Sequence, residues 1–428
     1  MATILVTNTL DAGPGSLRDA LLEANANGEP DLIQIVATGT ITLVTALPTI
    51  TEDLIITGPG QDLLAVDGND AVRIFAIDPG VTVPVQDLTV TRGSGTNMGA
   101  GFYNQGSLTL VRTTVSLNRA SSGAGVLSDI NSTLSVLDSA FVGNSAADDG
   151  GAIFASRSTV TVNRSRFTGN SAADSGGALA SLLGTYAIFA SSFSDNTAEF
   201  GGAIVAASSN AVAIRDSAFF RNRADAAGGA MFVSGSLLPV VNSTLAQNTA
   251  GITGAAVQSS GAVTTLSFVT VADNVVGPGG AALATEAGGN ILVRNSIIAS
   301  TIGGPNCAGN IVDLGGNLST DNNCSTFTVV TRDQLNLGPL QLNLPGITET
   351  MALLPGSVAI DAAFGCVDAA GNPVLTDQRG VPRPFGANCD VGAYEFRSGR
   401  RRFVPGRPPL FESRGACQNQ RIRRPRAQ

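Results

Sequence analysis

Apolar and polar positions in the middle of the chain repeat with a fixed spacing. Asn118, Asn144, Asn170, Asn196, Asn222, Asn248 and Asn274 follow one another at intervals of 26. Three residues before each stands an apolar side chain: Val115, Phe141, Phe167, Phe193, Phe219, Leu245 and Val271. A serine column, Ser139, Ser165, Ser191, Ser217 and Ser243, runs two residues earlier still. After most of the asparagines comes a glycine pair and an alanine, as in Gly150-Gly151-Ala152 and Gly176-Gly177-Ala178. Between these markers the runs alternate, as in Ser158-Thr-Val-Thr-Val162, which is strand spacing. No stretch carries helical spacing over ten or more positions. One coil per repeat makes the fold class all-β, a right-handed parallel β-helix (solenoid) of about 26 residues per coil. Equivalent residues then stack about 4.8 Å apart. The apolar and serine columns share strand parity and should point inward. The asparagines should form a ladder inside a bend, and the glycines should turn tight corners.

The flanks are less regular. Residues 1–37 read as an N-terminal cap: Ser16-Leu-Arg-Asp19 is a capping sequence ahead of Leu17, Ala20, Leu21 and Ala24, which share one helix face. Such a helix would cover the open end of the stack. Residues 38–300 hold the coils, beginning with irregular ones such as Ile41–Val44, Leu54–Thr57 and Leu88–Val90. Residues 301–396 lose the period, gain proline and cysteine, and read as the opposite cap. Residues 397–428, rich in Arg and Pro, are expected to be disordered.

Composition narrows the partners. The chain has no His, and all 25 basic residues are arginine. Ten of these arginines and a single acid, Glu412, lie in residues 397–428, a local balance of +9 within a total of −8. The preceding 396 residues therefore carry −17, which argues against a nucleic-acid partner. No run approaches the roughly 20 apolar residues of a membrane span, and the start, MATILVTNTL, lacks the look of a signal peptide. A monomer is expected. Four of the five cysteines cluster after the repeats without a C-x-x-C pair, which argues against zinc. They would form either two local bridges, Cys307–Cys324 and Cys366–Cys389, or four buried free thiols. Bridges would imply an oxidising compartment.

Several segments resemble known families. Gly15-Ser-Leu-Arg-Asp-Ala-Leu21 resembles the CSLREAI-type N-terminal segment of bacterial secreted β-helix proteins, with Gly15 in place of the motif's Cys. The Gly-Gly-Ala-Ile and Phe-x-x-Asn units at 141–154 are similar to the repeats of polymorphic outer-membrane proteins. Leu354–Asp361, Asp377–Pro384 and Cys389–Glu395 resemble the choice-of-anchor domain that ends many such chains. The resemblance implies export, a parallel β-helix and attachment at the cell surface. It implies no catalytic residue.

The candidate chemistry is sparse. The asparagine column is read as structural rather than sugar-binding. Asp148, Asp149, Asp174, Glu199 and Asp225 fall in successive links at spacings of 25 or 26 and would line one edge. Of these, Asp149, Asp174, Glu199 and Asp225 are candidate Ca²⁺ ligands; carboxylates so placed bind a cation or repel one another and titrate upward. Asp148, Asp149 and Asp174 are the catalytic candidates for a polysaccharide hydrolase. A lyase would draw its cation from Arg157, Arg164, Arg166, Arg215, Arg221 or Arg223. Without His, the usual nucleophilic triads are excluded. The leading expectation is an extracellular or cell-surface scaffold, adhesin-like, that contacts a polysaccharide or another surface; the alternative is a polysaccharide lyase or glycoside hydrolase on the same scaffold. A groove along one sheet where carboxylates and arginines converge would favour the enzyme, and loops with no convergence would favour the binding role.

Overall fold

The computed structural model describes residues 2–94, 98–209, 211–324 and 326–397. The described residues from Ala2 to Phe396 form one compact unit. The disorder expected for the tail falls on residues 398–428, outside the described residues.

The fold is the parallel β-helix that the spacing predicts. Among the described residues the coils build two 13-stranded parallel sheets, a short 7-stranded one and a 10-stranded one. One coil shows the path. Thr159–Asn163 lies in the first sheet, Arg166–Thr168 in the second, Ser171–Ala172 in the short third and Leu179–Leu182 in the fourth. Each strand pairs with its equivalent one coil on, as in Phe141↔Phe167 and Phe167↔Phe193. The inward phenylalanines stack: Phe141, Phe167, Phe193 and Phe219 have ring centroids 4.8, 4.6 and 4.8 Å apart and are fully buried.

Both bends around the second sheet need a left-handed residue. At the first bend the residue need not be glycine: Asp138 and Arg164 have φ of 49° and 46°. Only the next column reveals how this bend is held. Ser165 N–H donates to the Ser191 hydroxyl of the following coil at 3.1 Å, while Ser165 Oγ donates to the Asn163 carbonyl at 2.8 Å. The glycine pair has two separate reasons. Gly150 takes φ 62°, whereas a Cβ on Gly151 would lie 2.2 Å from the Gly177 carbonyl oxygen.

At the N-terminus, α1 (Leu17–Asn27) is capped by Ser16, whose hydroxyl accepts from Asp19 N–H, and ends at Gly28 in the left-handed region. Its Leu17, Ala20, Leu21 and Ala24 are buried in the main core. The regular spacing fades near residue 300, but the ladder does not stop there. Parallel pairing continues through Cys307–Ala308, Ile311–Asp313 and Leu318–Ser319 to Thr328–Val329. Both disulfides are formed, Cys307–Cys324 within the last coils and Cys366–Cys389 in the region after them.

That region does more than close an end. After α2 (Arg332–Leu335), an antiparallel hairpin pairs Leu337–Leu342 with Glu349–Leu353. From there to Phe396 the chain folds back along the outer face of the second sheet. Leu335, Met351, Leu353, Val374 and Val391 pack there with Ala246, Phe268, Ala272, Ile297 and Ala299 in a second apolar core. Arg383 and Glu395, both side chains fully buried, pair at 3.0 Å, and the Arg383 guanidinium lies 4.5 Å over the Phe268 ring. Asp377 and Arg379 pair beside them at 2.7 Å.

Candidate functional site

The asparagine ladder is internal. All seven asparagines are buried, and each engages both amide atoms. Asn170 Oδ1 accepts from Asn144 N–H and Nδ2, while Asn170 Nδ2 donates to the Phe141 carbonyl and to Asn196 Oδ1. These bonds occupy the groups a sugar hydroxyl would use.

The acidic edge is not a straight column. Ser171 pairs with Thr197, 26 residues on, whereas Ser175 pairs with Phe200, 25 on. The pairing is irregular again between Ala198 and Phe200. Asp148, Asp174, Glu199 and Asp225 are exposed, and Asp225 is taken by Arg223 at 2.8 Å. Among the described residues no three Asp, Glu, His or Cys side chains gather to hold a metal ion. Asp149, Asp174, Glu199 and Asp225 therefore form no calcium cluster, because the slipped register and the Arg223 pair disperse them. Asp149 is half-buried; desolvation, then the charge of Asp174, pushes its carboxyl above the ordinary range, against a hydrogen bond from Ser175. The catalytic candidates Asp148, Asp149 and Asp174 thus occupy one corner in two successive coils, apart from the groove described next.

That groove lies on the outer face of the second sheet, and small side chains create it. Arg166 stands between Ala140 and Ser192, its strand partners on either side, with Thr168 and Ser194 in the adjacent outward row. Further along the sheet the C-terminal region covers this face. Where its hairpin ends, the floor opens. One cavity of about 310 Å³ is lined by Gln61, Asp138, Ala140, Arg164, Arg166 and Ile347 among others. A second, of about 420 Å³, is lined by Arg166, Thr168, Ser194, Arg221, Gln341 and Glu349 among others. Arg166 and Ser192 line both, so the two cavities join at Arg166.

The charges in the groove are unequally engaged. Arg164 grips Asp138 with two bonds of 2.7 Å, and Arg221 grips Asp195 at 2.8 and 2.9 Å. Each arginine holds its aspartate below the usual carboxylate range. Arg166 is exposed, and its guanidinium has no hydrogen-bond or ion-pair partner among the described residues. Across from it, Glu349 Oε2 is buried without a hydrogen-bond partner. Of the arginines singled out from sequence, Arg164, Arg166 and Arg221 come together here. Arg157, at the turn into the first sheet, and Arg223 line neither cavity. Glu349 and Gln61 could not be read from the repeat, since one follows the period's end and the other precedes its start. The run of small outward residues, Ala140, Ser192, Ser194 and Ala218, is a sequence signal for a covered or concave face.

Residues 138–156 and 190–207 match the Chlamydia polymorphic membrane protein repeat. Each stretch contains the first bend, a second-sheet strand, the ladder asparagine and the glycine pair. No curated protein sequence matches the chain. Among solved structures, the coil path is similar to that of pectate lyase Pel9A, with 14% identity and a TM-score of 0.47 over 93% of this chain and 97% of that one. A mannuronic-acid-specific family 6 polysaccharide lyase from human gut microbiota has 10% identity and a TM-score of 0.40, covering 78% of this chain and 93% of its own. A family 6 alginate lyase complexed with trisaccharide has 13% identity and a TM-score of 0.41, over 82% and 91%. These likenesses concern the path of the coils and say nothing of chemistry.

Proposed function

We propose that this protein is an exported β-helical scaffold, secreted or held at the cell surface, that contacts a glycan through the groove on its second sheet. The groove itself carries the reading. It runs across several coils on a rigid sheet, is floored by hydroxyls and small side chains, and is walled by the C-terminal hairpin. An open, polar channel of this kind suits an extended polymer better than an enclosed small molecule. The two disulfides fit an oxidising compartment outside the cytosol. No helix among the described residues is long and apolar enough to cross a membrane.

The direct test is saturable binding of the full chain to an array of neutral and charged glycans, repeated with Thr168→Trp, which fills the groove at a half-buried outward position. Binding that survives the tryptophan in a natively melting protein would sink the reading. A second reading, cleavage of the polymer, draws on Glu349, whose unpartnered oxygen lines the same cavity as Arg166. Release of new reducing or unsaturated ends, abolished by Glu349→Gln, would favour it.

A further inference from the structure

The unequal engagement of charge in the groove names a ligand class, on the basis of the glycan reading above. Two of the three arginines are neutralised by bidentate pairing with Asp138 and Asp195. Arg166, where the two cavities join, is left as a free planar fork of donors. A guanidinium in that state is suited to a carboxylate or sulfate, which it can grip with two parallel bonds. Glu349 makes the opposite demand. Its buried Oε2 accepts from nothing in the protein and is complemented by a donor. Ser192, Ser194 and Thr168 on the floor can donate or accept.

We propose that the groove takes an acidic polysaccharide lying across the coils, with an anionic group of one sugar on Arg166 and a hydroxyl of the same or the next sugar donating to Glu349. The combination of one anion and nearby hydroxyl donors separates this ligand from other polyanions. An acidic peptide offers Arg166 its carboxylates but brings only acceptors in its acidic side chains to Glu349. Single-stranded DNA offers Arg166 its phosphates but carries no sugar hydroxyl along the strand to donate to Glu349. The C-terminal hairpin belongs to the site, because Glu349 and Gln341 wall the second cavity.

The experiment titrates the full chain with alginate, dextran sulfate, neutral dextran, polyglutamate and single-stranded DNA at two salt concentrations. Alginate or dextran sulfate should bind at least tenfold more tightly than dextran, and the preference between the two identifies the anion as carboxylate or sulfate. Arg166→Ala should weaken that binding by roughly 10- to 100-fold, as expected for loss of a charge-assisted pair. Arg166→Lys should retain part of it, and Arg157→Ala, on another face, should change nothing. Arg166 is exposed, so these variants should melt like the parent. Glu349→Gln should weaken alginate and dextran sulfate less than Arg166→Ala does. Equal binding of dextran and alginate, unmoved by Arg166→Ala, would overturn the acidic assignment while leaving a glycan groove. Polyglutamate or DNA binding as tightly as alginate would overturn the sugar assignment. Binding of no glycan at all would remove the underlying reading as well.

Discussion

Between Ser139 and Asn274, the asparagines and serines of the two ladders meet copies of themselves; between Asp377 and Glu395, each buried charge meets a different partner. In the coils Asn170 bonds to Asn144 and Asn196, and Ser165 to Ser191, at distances that barely change from turn to turn. In the C-terminal region Arg383 reaches the Glu395 carboxylate and the Asp390 and Gly392 carbonyls, and Arg379 reaches Asp377 and the Glu395 carbonyl. The first arrangement spreads each interaction over neighbours that can partly replace it. The second concentrates several on single side chains, so it should fail abruptly and locally.

The sharpest break of this contrast is Arg383→Met. It leaves Glu395 buried without its cation and should cost about 3–5 kcal/mol. Hydrogen exchange should show amides of 377–395 losing protection while those of the coils keep theirs. Loss across the whole chain would mean that the two regions unfold as one. Asn196→Ala is the matching test in the coils. It leaves Asn170 N–H without its acceptor and the Phe167 carbonyl without its donor, for roughly 2–4 kcal/mol. Protection should fall in the adjacent coils first and fade along the rod.

The C-terminal region should also respond to pH where the ladders do not. Desolvation raises the Asp216 carboxyl to about 6, partly offset by Asn242 and Arg215, and desolvation likewise raises Asp390 to about 6 against amide donors from Asp361 and Phe396. Asp216 sits at the coil edge, where its own carbonyl accepts from Thr348 of the docked region. Both shifts are upward, so the stability they allow is fully present below about pH 4 and is lost as pH rises through 6. For Asp216 the loss is roughly 2–3 kcal/mol. Urea midpoints taken from pH 4 to 8 should fall over that range, and Asp216→Asn should flatten the curve. A midpoint that rises with pH would contradict the assignment. The smallest effect belongs to the exposed pairs at the first bend: Arg164→Ala should leave the urea midpoint almost unchanged despite its two short bonds. A larger fall would show that the αL bend depends on this pair.

The same contrast explains what the sequence could reveal. Periodic residues are self-reporting: the spacing of Asn118 to Asn274 announced the coil, the ladder and the stacked rings. The Gly150-Gly151 pair announced a corner. Single-copy features carry no such signal. Arg166 stood among six candidate arginines, but only the fold shows that Asp138 and Asp195 occupy its neighbours. Glu349 lies in a hairpin whose place along the second sheet depends on contacts 132 residues away, such as Thr348 Oγ1 with the Asp216 carbonyl. The acids at 148, 149, 174, 199 and 225 looked like a row because their spacings were nearly regular. Asp148 and Asp174 do stack in register, but the slipped residue before Phe200 and the Arg223 pair on Asp225 keep Glu199 and Asp225 from extending the row.

The asparagine ladder also has a direction. From Asn118 to Asn248, each asparagine donates its Nδ2 to the Oδ1 of the coil that follows it, and the backbone N–H does the same. No coil is individually addressed by that pattern. A duplicated or deleted unit of 26 residues would rejoin the chain of amides without a single changed partner, moving the two ends of the rod by about 4.8 Å. Length in this molecule is therefore a quantity that recombination can adjust in whole steps, up to the coils on which the C-terminal region rests.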